Sequence, residues 1–180
     1  MKTRDLIYCA LFAALTAIGA FLQIPTGTVP ITLQFLFTAL AGLLLGWKWG
    51  AVSQLLYVGI GLLGLPVFTQ GGGIGYVLQP SFGFLLGLIP AAAVIGALTA
   101  RRTGYLTVLA AVLVGDLILY AVGVPYMYLI LHVYMQSAKT FPALLAAMLV
   151  YVPGDTLKIV VVTALAPVLR RTLAKAVPNL

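Results

Sequence analysis

The stretch Tyr151-Val152-Pro153-Gly154-Asp155-Thr156-Leu157-Lys158 places an acid and a base inside an apolar segment, residues 142–169. In hydrocarbon a charged side chain costs about 2.5–3.5 kcal/mol on insertion scales, so an ionisable residue at membrane depth predicts a functional site. Asp155 and Lys158 are three residues apart, and this spacing places them on one face of a helix. They can therefore contact each other or a common ligand.

Pro153 and Gly154 come directly before the acid and predict a break in the helix. Proline removes a backbone donor and glycine loosens the ladder. Irregular backbone at membrane depth is tolerated where protein or a water-filled cavity covers it. After such a break we expect free N–H groups that suit a polar or anionic small molecule. The structural alternative is that Asp155 and Lys158 only neutralise each other and brace the bundle.

The composition is that of an integral membrane protein. Of the 180 residues, 63% are hydrophobic and 7% are charged, whereas a soluble domain has about 25% charged residues. The net charge is +7, but the basic residues stand singly or in pairs at the ends of apolar runs, as topology signals do. Nucleic-acid binding is therefore not expected. Cys9 is the single cysteine and has no ligand companions, so neither a metal nor a cofactor is predicted.

Six apolar segments predict an all-α protein with six transmembrane helices in one domain, 1–180. The segments are residues 6–24, 32–46, 49–65, 81–99, 104–122 and 142–169. About 20 residues span a bilayer, so the short second and third segments need a thinner bilayer or burial. The first is interpreted as a retained span, because no small-residue cleavage site follows it. The apolar run 126–135 is too short to cross at about 1.5 Å per residue, and we expect it to lie on the membrane surface.

The basic residues predict that both termini are cytoplasmic. With six spans, one side of the membrane holds eight of the ten basic residues, and basic residues mark the cytoplasmic side. The eight are Lys2, Arg4, Lys48, Arg101, Arg102, Arg170, Arg171 and Lys175. The opposite side holds three long connections, 25–31, 64–80 and 123–141. Long outer loops predict a substrate cavity that opens outward.

The second outer connection contains the glycine cluster Gly71-Gly72-Gly73-Ile74-Gly75. It lacks the Gly-Lys-Ser/Thr of a Walker motif, so nucleotide hydrolysis by that route is not predicted. Glycines let backbone N–H groups approach a ligand closely. Phe68, Gln70, Tyr76 and Gln79 flank the cluster, and we interpret the segment as a lid.

Four alanines in the first span predict a close helix contact. Ala10 and Ala14 form one small-xxx-small pair, and Ala13 and Ala17 form a second. Such pairs let helix backbones approach closely. Packing within the bundle and docking of a separate membrane partner both explain the pattern.

Four motifs in order carry a resemblance to a known family. They are Pro30-Ile31-Thr32-Leu33-Gln34, Gly64-Leu65-Pro66-Val67-Phe68, Pro80-Ser81-Phe82-Gly83-Phe84-Leu85-Leu86-Gly87 and the stretch 151–158. Together they resemble the biotin-specific S component (BioY) of energy-coupling factor vitamin transporters. The likeness covers nearly the whole chain. Phe82 departs from the family pattern, which usually has a second glycine there.

The resemblance implies a six-helix, non-enzymatic subunit that binds biotin in the plasma membrane of a prokaryote. Its partners would be a transmembrane coupling protein, contacted by the alanines of the first helix, and two cytoplasmic ATPases. The resemblance assigns Asp155 and Lys158 to the ligand. A carboxylate can accept from the ureido N–H groups of biotin, and a lysine can donate to an oxygen. The complete set of candidate substrate-binding residues is Asp155, Lys158, Gln34, Phe68, Gly73, Tyr76, Gln79, Ser81 and Phe82.

Three other functions remain open. The first is an S component for another vitamin, such as thiamine or riboflavin. The second is a membrane enzyme that acts on lipid with Asp116, His132 and Asp155 as acid or base; Asp116 could also hydrogen-bond within the bundle or line the same cavity as Asp155. The third is a structural assembly subunit without a ligand.

Overall fold

The computed structural model describes residues 3–26, 29–102 and 104–176. The α-helices are α1 (Thr3–Phe21), α2 (Gln34–Leu62), α3 (Phe82–Leu98), α4 (Tyr105–Leu129), α5 (Phe141–Met148) and α6 (Val152–Ala176). A short ribbon precedes α2, in which β1 (Gln23–Ile24) pairs antiparallel with β2 (Ile31–Thr32). A 3-10 helix, Ile74–Leu78, precedes α3. The predicted all-α class is confirmed, with this short antiparallel ribbon as an addition.

A break divides α2 into two arms. Gly46 has φ +78° and ψ 179°, a conformation that only glycine adopts readily. Across the break, Nε2 of Gln34 donates to the hydroxyl of Tyr57 at 2.8 Å. In a straight helix these residues would be about 35 Å apart at 1.5 Å per residue. The arms therefore run antiparallel as a helical hairpin, and the break lies where the sequence separates 32–46 from 49–65.

The expectation that residues 126–135 lie on the membrane surface is wrong. Helix α4 runs through Pro125 to Leu129 and continues as a π-helix, Ile130–Tyr134. The run stays in the bundle because its apolar side chains pack on α5, where Met127 and Leu131 share a buried cluster with Leu144 and Met148. The connection 123–141, expected to be a long loop, is therefore mostly helical.

The segment 142–169 is two helices, and the break lies upstream of its expected position. The chain turns at residues 149–151, between α5 and α6. Pro153 is in the first turn of α6, where its missing N–H group would have no partner within the helix. The N–H group of Asp155 donates to the carbonyl of Tyr151 at 2.9 Å. The free N–H group expected there is thus already bonded.

In the described part of the chain, four helical stretches are long and apolar enough to cross a membrane. They are Thr3–Phe21, Gln34–Leu62, Tyr105–Tyr134 and Val152–Thr172. Helix α3 is apolar but has 17 residues. The chain is therefore a multi-pass membrane protein.

The two ends of the bundle differ. At one end, which we call the closed end, Nη2 of Arg170 donates to the carbonyl oxygens of Leu43, at 2.8 Å, and Thr99, at 3.4 Å. Gly96 of α3 lies against Trp47 there, since a Cβ on Gly96 would be 2.3 Å from the Trp47 nitrogen. At the other end, which we call the cavity end, the starts of α3 and α6 and the chain before α2 surround an empty space.

Candidate functional site

The cavity lies where α6 begins. It contains about 630 Å³ of space between atoms, including the solvent at its open mouth. Five of the candidate substrate-binding residues line it: Gln34, Tyr76, Ser81, Asp155 and Lys158. Apolar side chains supply much of the remaining wall, among them Phe84, Leu85, Leu119 and Met148. An apolar chamber with a few polar groups is the usual form of a small-molecule site.

One wall of the cavity carries a buried ion pair. Nζ of Lys158 lies 2.5 Å from Oδ1 of Asp155, on one face of the first turns of α6. The hydroxyl of Tyr120 donates to the other carboxylate oxygen, Oδ2. Nζ of Lys158 also donates to the carbonyl of Thr32 at 3.2 Å. Each charge thus has a charged and a neutral partner, as burial requires.

A second part of the cavity wall is polar but neutral. Oε1 of Gln34 accepts from the hydroxyl of Thr32 at 2.9 Å. The hydroxyl of Tyr76 is 2.9 Å from Oγ1 of Thr69 and 3.4 Å from Oγ of Ser81. An amide and several hydroxyl groups can both donate and accept. This wall can therefore match a ligand that presents both kinds of group.

Phe68 and Phe82 lie behind this wall and do not line the cavity. Both are almost completely buried. The ring of Phe68 is 4.6 Å from that of Tyr76, and the ring of Phe82 is 6.4 Å from it. These contacts hold the Tyr76 ring from two sides.

Gly73 and Gln79 also lie outside the cavity lining. The N–H group of Gly73 donates to the carbonyl of Gly61 at 2.7 Å, and its φ of +100° favours glycine. Gly73 thus ties the connection 64–80 to the end of α2. Gln79 is exposed.

Comparison with known proteins assigns the family. The BioY family matches residues 1–175 of the sequence. The chain belongs to the BioY family. The resemblance expected from the four motifs is therefore confirmed.

Relatives of this BioY-family chain include two proteins named as transporters. It is 54% identical over 142 residues to the probable biotin transporter BioY of Lysinibacillus sphaericus, covering 78% of this chain and 72% of the relative. It is 36% identical over 164 residues to the biotin transporter BioY of Thermotoga maritima, covering 91% of this chain and 94% of the relative. These relatives are named for transport and not for catalysis.

A solved structure has the same fold. It is the crystal structure of the S-component for biotin from an ECF-type ABC transporter. The TM-score is 0.83, the sequence identity is 30%, and the match covers 95% of each chain. The cavity of this BioY-family chain therefore lies within a fold that a known S-component shares.

Tyr120, Tyr151 and Thr32 line the cavity but were not among the candidates. The hydroxyl of Tyr151 bonds to the carbonyl of Val29 and lies 3.0 Å from Oγ1 of Thr26, so it fastens the chain before α2 to the start of α6. Tyr120 and Asp155 are 35 residues apart. Their contact depends on how α4 packs on α6, and no local spacing encodes that packing.

The four alanines of α1 divide between two environments. Ala10 and Ala14 are exposed, whereas Ala13 is buried and Ala17 packs against the core. The pair Ala10/Ala14 therefore lies on the outside of this BioY-family protein. Ala13 and Ala17 contribute to its own bundle.

Asp116 and His132 do not line the cavity. Oδ1 of Asp116 is buried and has no hydrogen-bond partner in the described part of the chain. His132 stacks on Tyr128, with 5.3 Å between the ring centroids. The acid and base set of a lipid enzyme, Asp116, His132 and Asp155, is not assembled around the cavity.

Proposed function

We propose that this protein is the membrane subunit that captures biotin on the outer side of the plasma membrane for an energy-coupling factor transporter. The observation that carries the proposal is the buried Asp155–Lys158 pair in the wall of an otherwise largely apolar cavity, in a chain of the BioY family. A buried ion pair beside an empty space offers a donor and an acceptor to a ligand that can replace water.

Biotin has the groups that this cavity can bind. Its ureido ring presents two N–H donors and a carbonyl, which can bond to Asp155, Lys158 and the neutral amide of Gln34. Its thioether ring and carbon chain are apolar, and Leu85, Met148 and the ring of Tyr76 can cover them. Four of the candidates lie outside the lining and would affect biotin binding only by supporting the cavity wall. They are Phe68, Phe82, Gly73 and Gln79. Biotin rather than thiamine or riboflavin is also the vitamin in the names of the relatives.

We further propose a single membrane domain that crosses six times, with both termini in the cytoplasm. The two arms of α2 supply two crossings, and α1, α3, α4 and α6 supply one each. The closed end would face the cytoplasm, because Lys48, Arg101 and Arg102 lie in the turns beside it and basic residues mark that side. The cavity end would then face outward.

Delivery of biotin inward would require partners. We propose a transmembrane coupling protein with two cytoplasmic ATPases, as expected for the ECF type. The exposed alanines Ala10 and Ala14 support docking on α1, because small residues allow close helix contact in a membrane.

The test is to identify the ligand of the purified protein. Mass spectrometry of the small molecules extracted from it should find biotin. Calorimetry in detergent should show tight binding of biotin and none of thiamine or riboflavin. Tight binding of either other vitamin, or turnover of lipid by the protein alone, would overturn the proposal.

A further inference from the structure

A chain of buried polar side chains leads from the cavity to α1. Gln34 is in the cavity wall, and its backbone carbonyl accepts from Oγ1 of Thr38 at 3.0 Å. The same hydroxyl lies 2.9 Å from Oε1 of Gln54, on the second arm of α2, so its single proton is shared between two acceptors. Nε2 of Gln54 then donates to Oγ1 of Thr16, on α1, at 3.3 Å. We call Gln34, Thr38, Gln54 and Thr16 the relay.

The relay joins three helical segments at positions closed to water. Thr16, Thr38 and Gln54 each have 0% exposure. Nε2 of Gln54 also donates to Oγ of Ser53, and Thr16 donates to the carbonyl of Phe12, so these groups are satisfied. Losing a bond to Gln54 would leave fewer hydrogen bonds among these buried polar groups, which is unfavourable. A movement of one member therefore favours a movement of the next.

The relay begins at groups that a ligand would contact. The hydroxyl of Thr32 donates to Oε1 of Gln34, and the carbonyl of Thr32 accepts from Lys158. Nε2 of Gln34 is held by Tyr57. A ligand that bonds to Lys158 or Gln34 adds a partner to side chains that already hold Thr32 and Tyr57, so its binding acts directly on the first member of the relay.

We propose that the relay makes the local stability of α1 depend on whether the cavity is occupied. This rests on the proposed function, in which biotin is the occupant and α1 carries the docking surface. Thr16 is on the buried face of α1, and Ala10 and Ala14 are on its exposed face. A partner that contacts α1 could thus distinguish a loaded subunit from an empty one. By linkage, the partner would change biotin affinity by the same factor.

Cys9 is a natural reporter of α1. It is the only cysteine of the chain, it is 1% exposed, and its thiol faces the carbonyl of Trp49 at 3.4 Å. It lies on the same face of α1 as Thr16, two turns away. A maleimide can reach it only when α1 opens locally, so the labelling rate measures local stability.

The experiment compares Cys9 labelling by a small maleimide with and without saturating biotin, in detergent. We expect biotin to slow labelling of the wild type by about fivefold, the lower end of typical coupling between sites. Thr16→Val and Thr38→Val keep the side-chain shape but remove the bonds to Gln54, and biotin should then slow labelling by less than about twofold. Saturating biotin removes any effect of altered affinity.

Thr163→Val is the matched control. Thr163 is also 0% exposed, and its hydroxyl bonds to the carbonyl four residues earlier, Ile159, at 2.7 Å. This variant should keep the full effect of biotin. The proposal is overturned if the wild type binds biotin by calorimetry without a change in labelling, if the relay variants keep the full effect, or if Thr163→Val loses it. A wild type that does not bind biotin would instead overturn the proposed function.

Discussion

The cavity end and the closed end of the bundle use buried polar groups in opposite ways. At the cavity end, Asp155, Lys158 and Tyr120 bond to one another beside an empty space. At the closed end, Arg170 donates to main-chain carbonyls at the ends of two other helical segments. The first set can exchange partners with a ligand, and the second only fixes helices. Substitutions at the cavity end should therefore change affinity more than stability, and those at the closed end should do the reverse.

The largest effect should come from breaking the ion pair. Asp155→Ala or Lys158→Ala leaves one charge buried without its partner, which costs about 2–5 kcal/mol at a binding site. We expect biotin affinity, measured by calorimetry, to fall at least about 30-fold in either variant.

Two further variants control this prediction. Lys139→Ala removes an exposed lysine outside the cavity and should leave the affinity unchanged. The double substitution of Asp155 and Lys158 by Ala leaves no unpaired charge, so it should unfold at a higher temperature than the worse single variant and still not bind biotin. Unchanged affinity in both single variants would remove the site assignment.

Tyr120→Phe should have the next largest effect on affinity. It deletes the hydroxyl that donates to Asp155 and keeps the ring. A hydrogen bond to a charged group contributes about 1.5–3 kcal/mol, so affinity should fall by about ten- to a hundredfold. Tyr105→Phe removes an exposed hydroxyl from the other end of α4 and is the control. Equal affinities in the two variants would mean that Tyr120 does not act through the carboxylate.

At the closed end, Gly46→Ala should lower stability and leave affinity intact. The φ of +78° at Gly46 strains any residue with a Cβ, by about 1–3 kcal/mol. Gly59 also has free space around it but lies within a helical arm, so Gly59→Ala should raise stability by about 0.5–1 kcal/mol. Thermal unfolding in detergent, followed by calorimetry of the folded protein, checks both. If both substitutions shift the unfolding temperature in the same direction, the backbone conformation of Gly46 does not determine the stability of the turn.

The two ends also differ in how far the sequence predicts them. The spacing of Asp155 and Lys158 identifies a shared helix face, and the division of the apolar sequence into 32–46 and 49–65 indicates the hairpin, because both signals are local. The partners of those residues are not local: Tyr120 reaches Asp155 through the packing of α4 on α6. Pattern alone also cannot tell an aromatic side chain that lines a cavity from one that supports it, so the sequence predicts the same role for Phe68 and Tyr76.

The extent of α4 shows a different limit of prediction from the sequence. Residues 126–135 are too short to cross a membrane by themselves, and Pro125 suggests a boundary before them. Proline within a helix removes one bond, but contacts with a neighbouring helix can outweigh that loss. Here Met127 and Leu131 pack on α5. A prediction based on the length of a single segment does not include such contacts with a neighbouring helix.

The smallest effect should come from the neutral wall of the cavity. Tyr76→Phe keeps the ring between Phe68 and Phe82 and removes a hydroxyl shared with Thr69 and Ser81. The loss of a neutral hydrogen bond costs about 0.5–1.5 kcal/mol, so affinity should fall by about two- to tenfold. Gln79→Ala changes an exposed side chain outside the cavity and should leave the affinity within about twofold. If calorimetry gives Gln79→Ala the larger loss, Gln79 contacts biotin in the loaded protein, and the connection 64–80 must close further over the ligand than it does over the empty cavity.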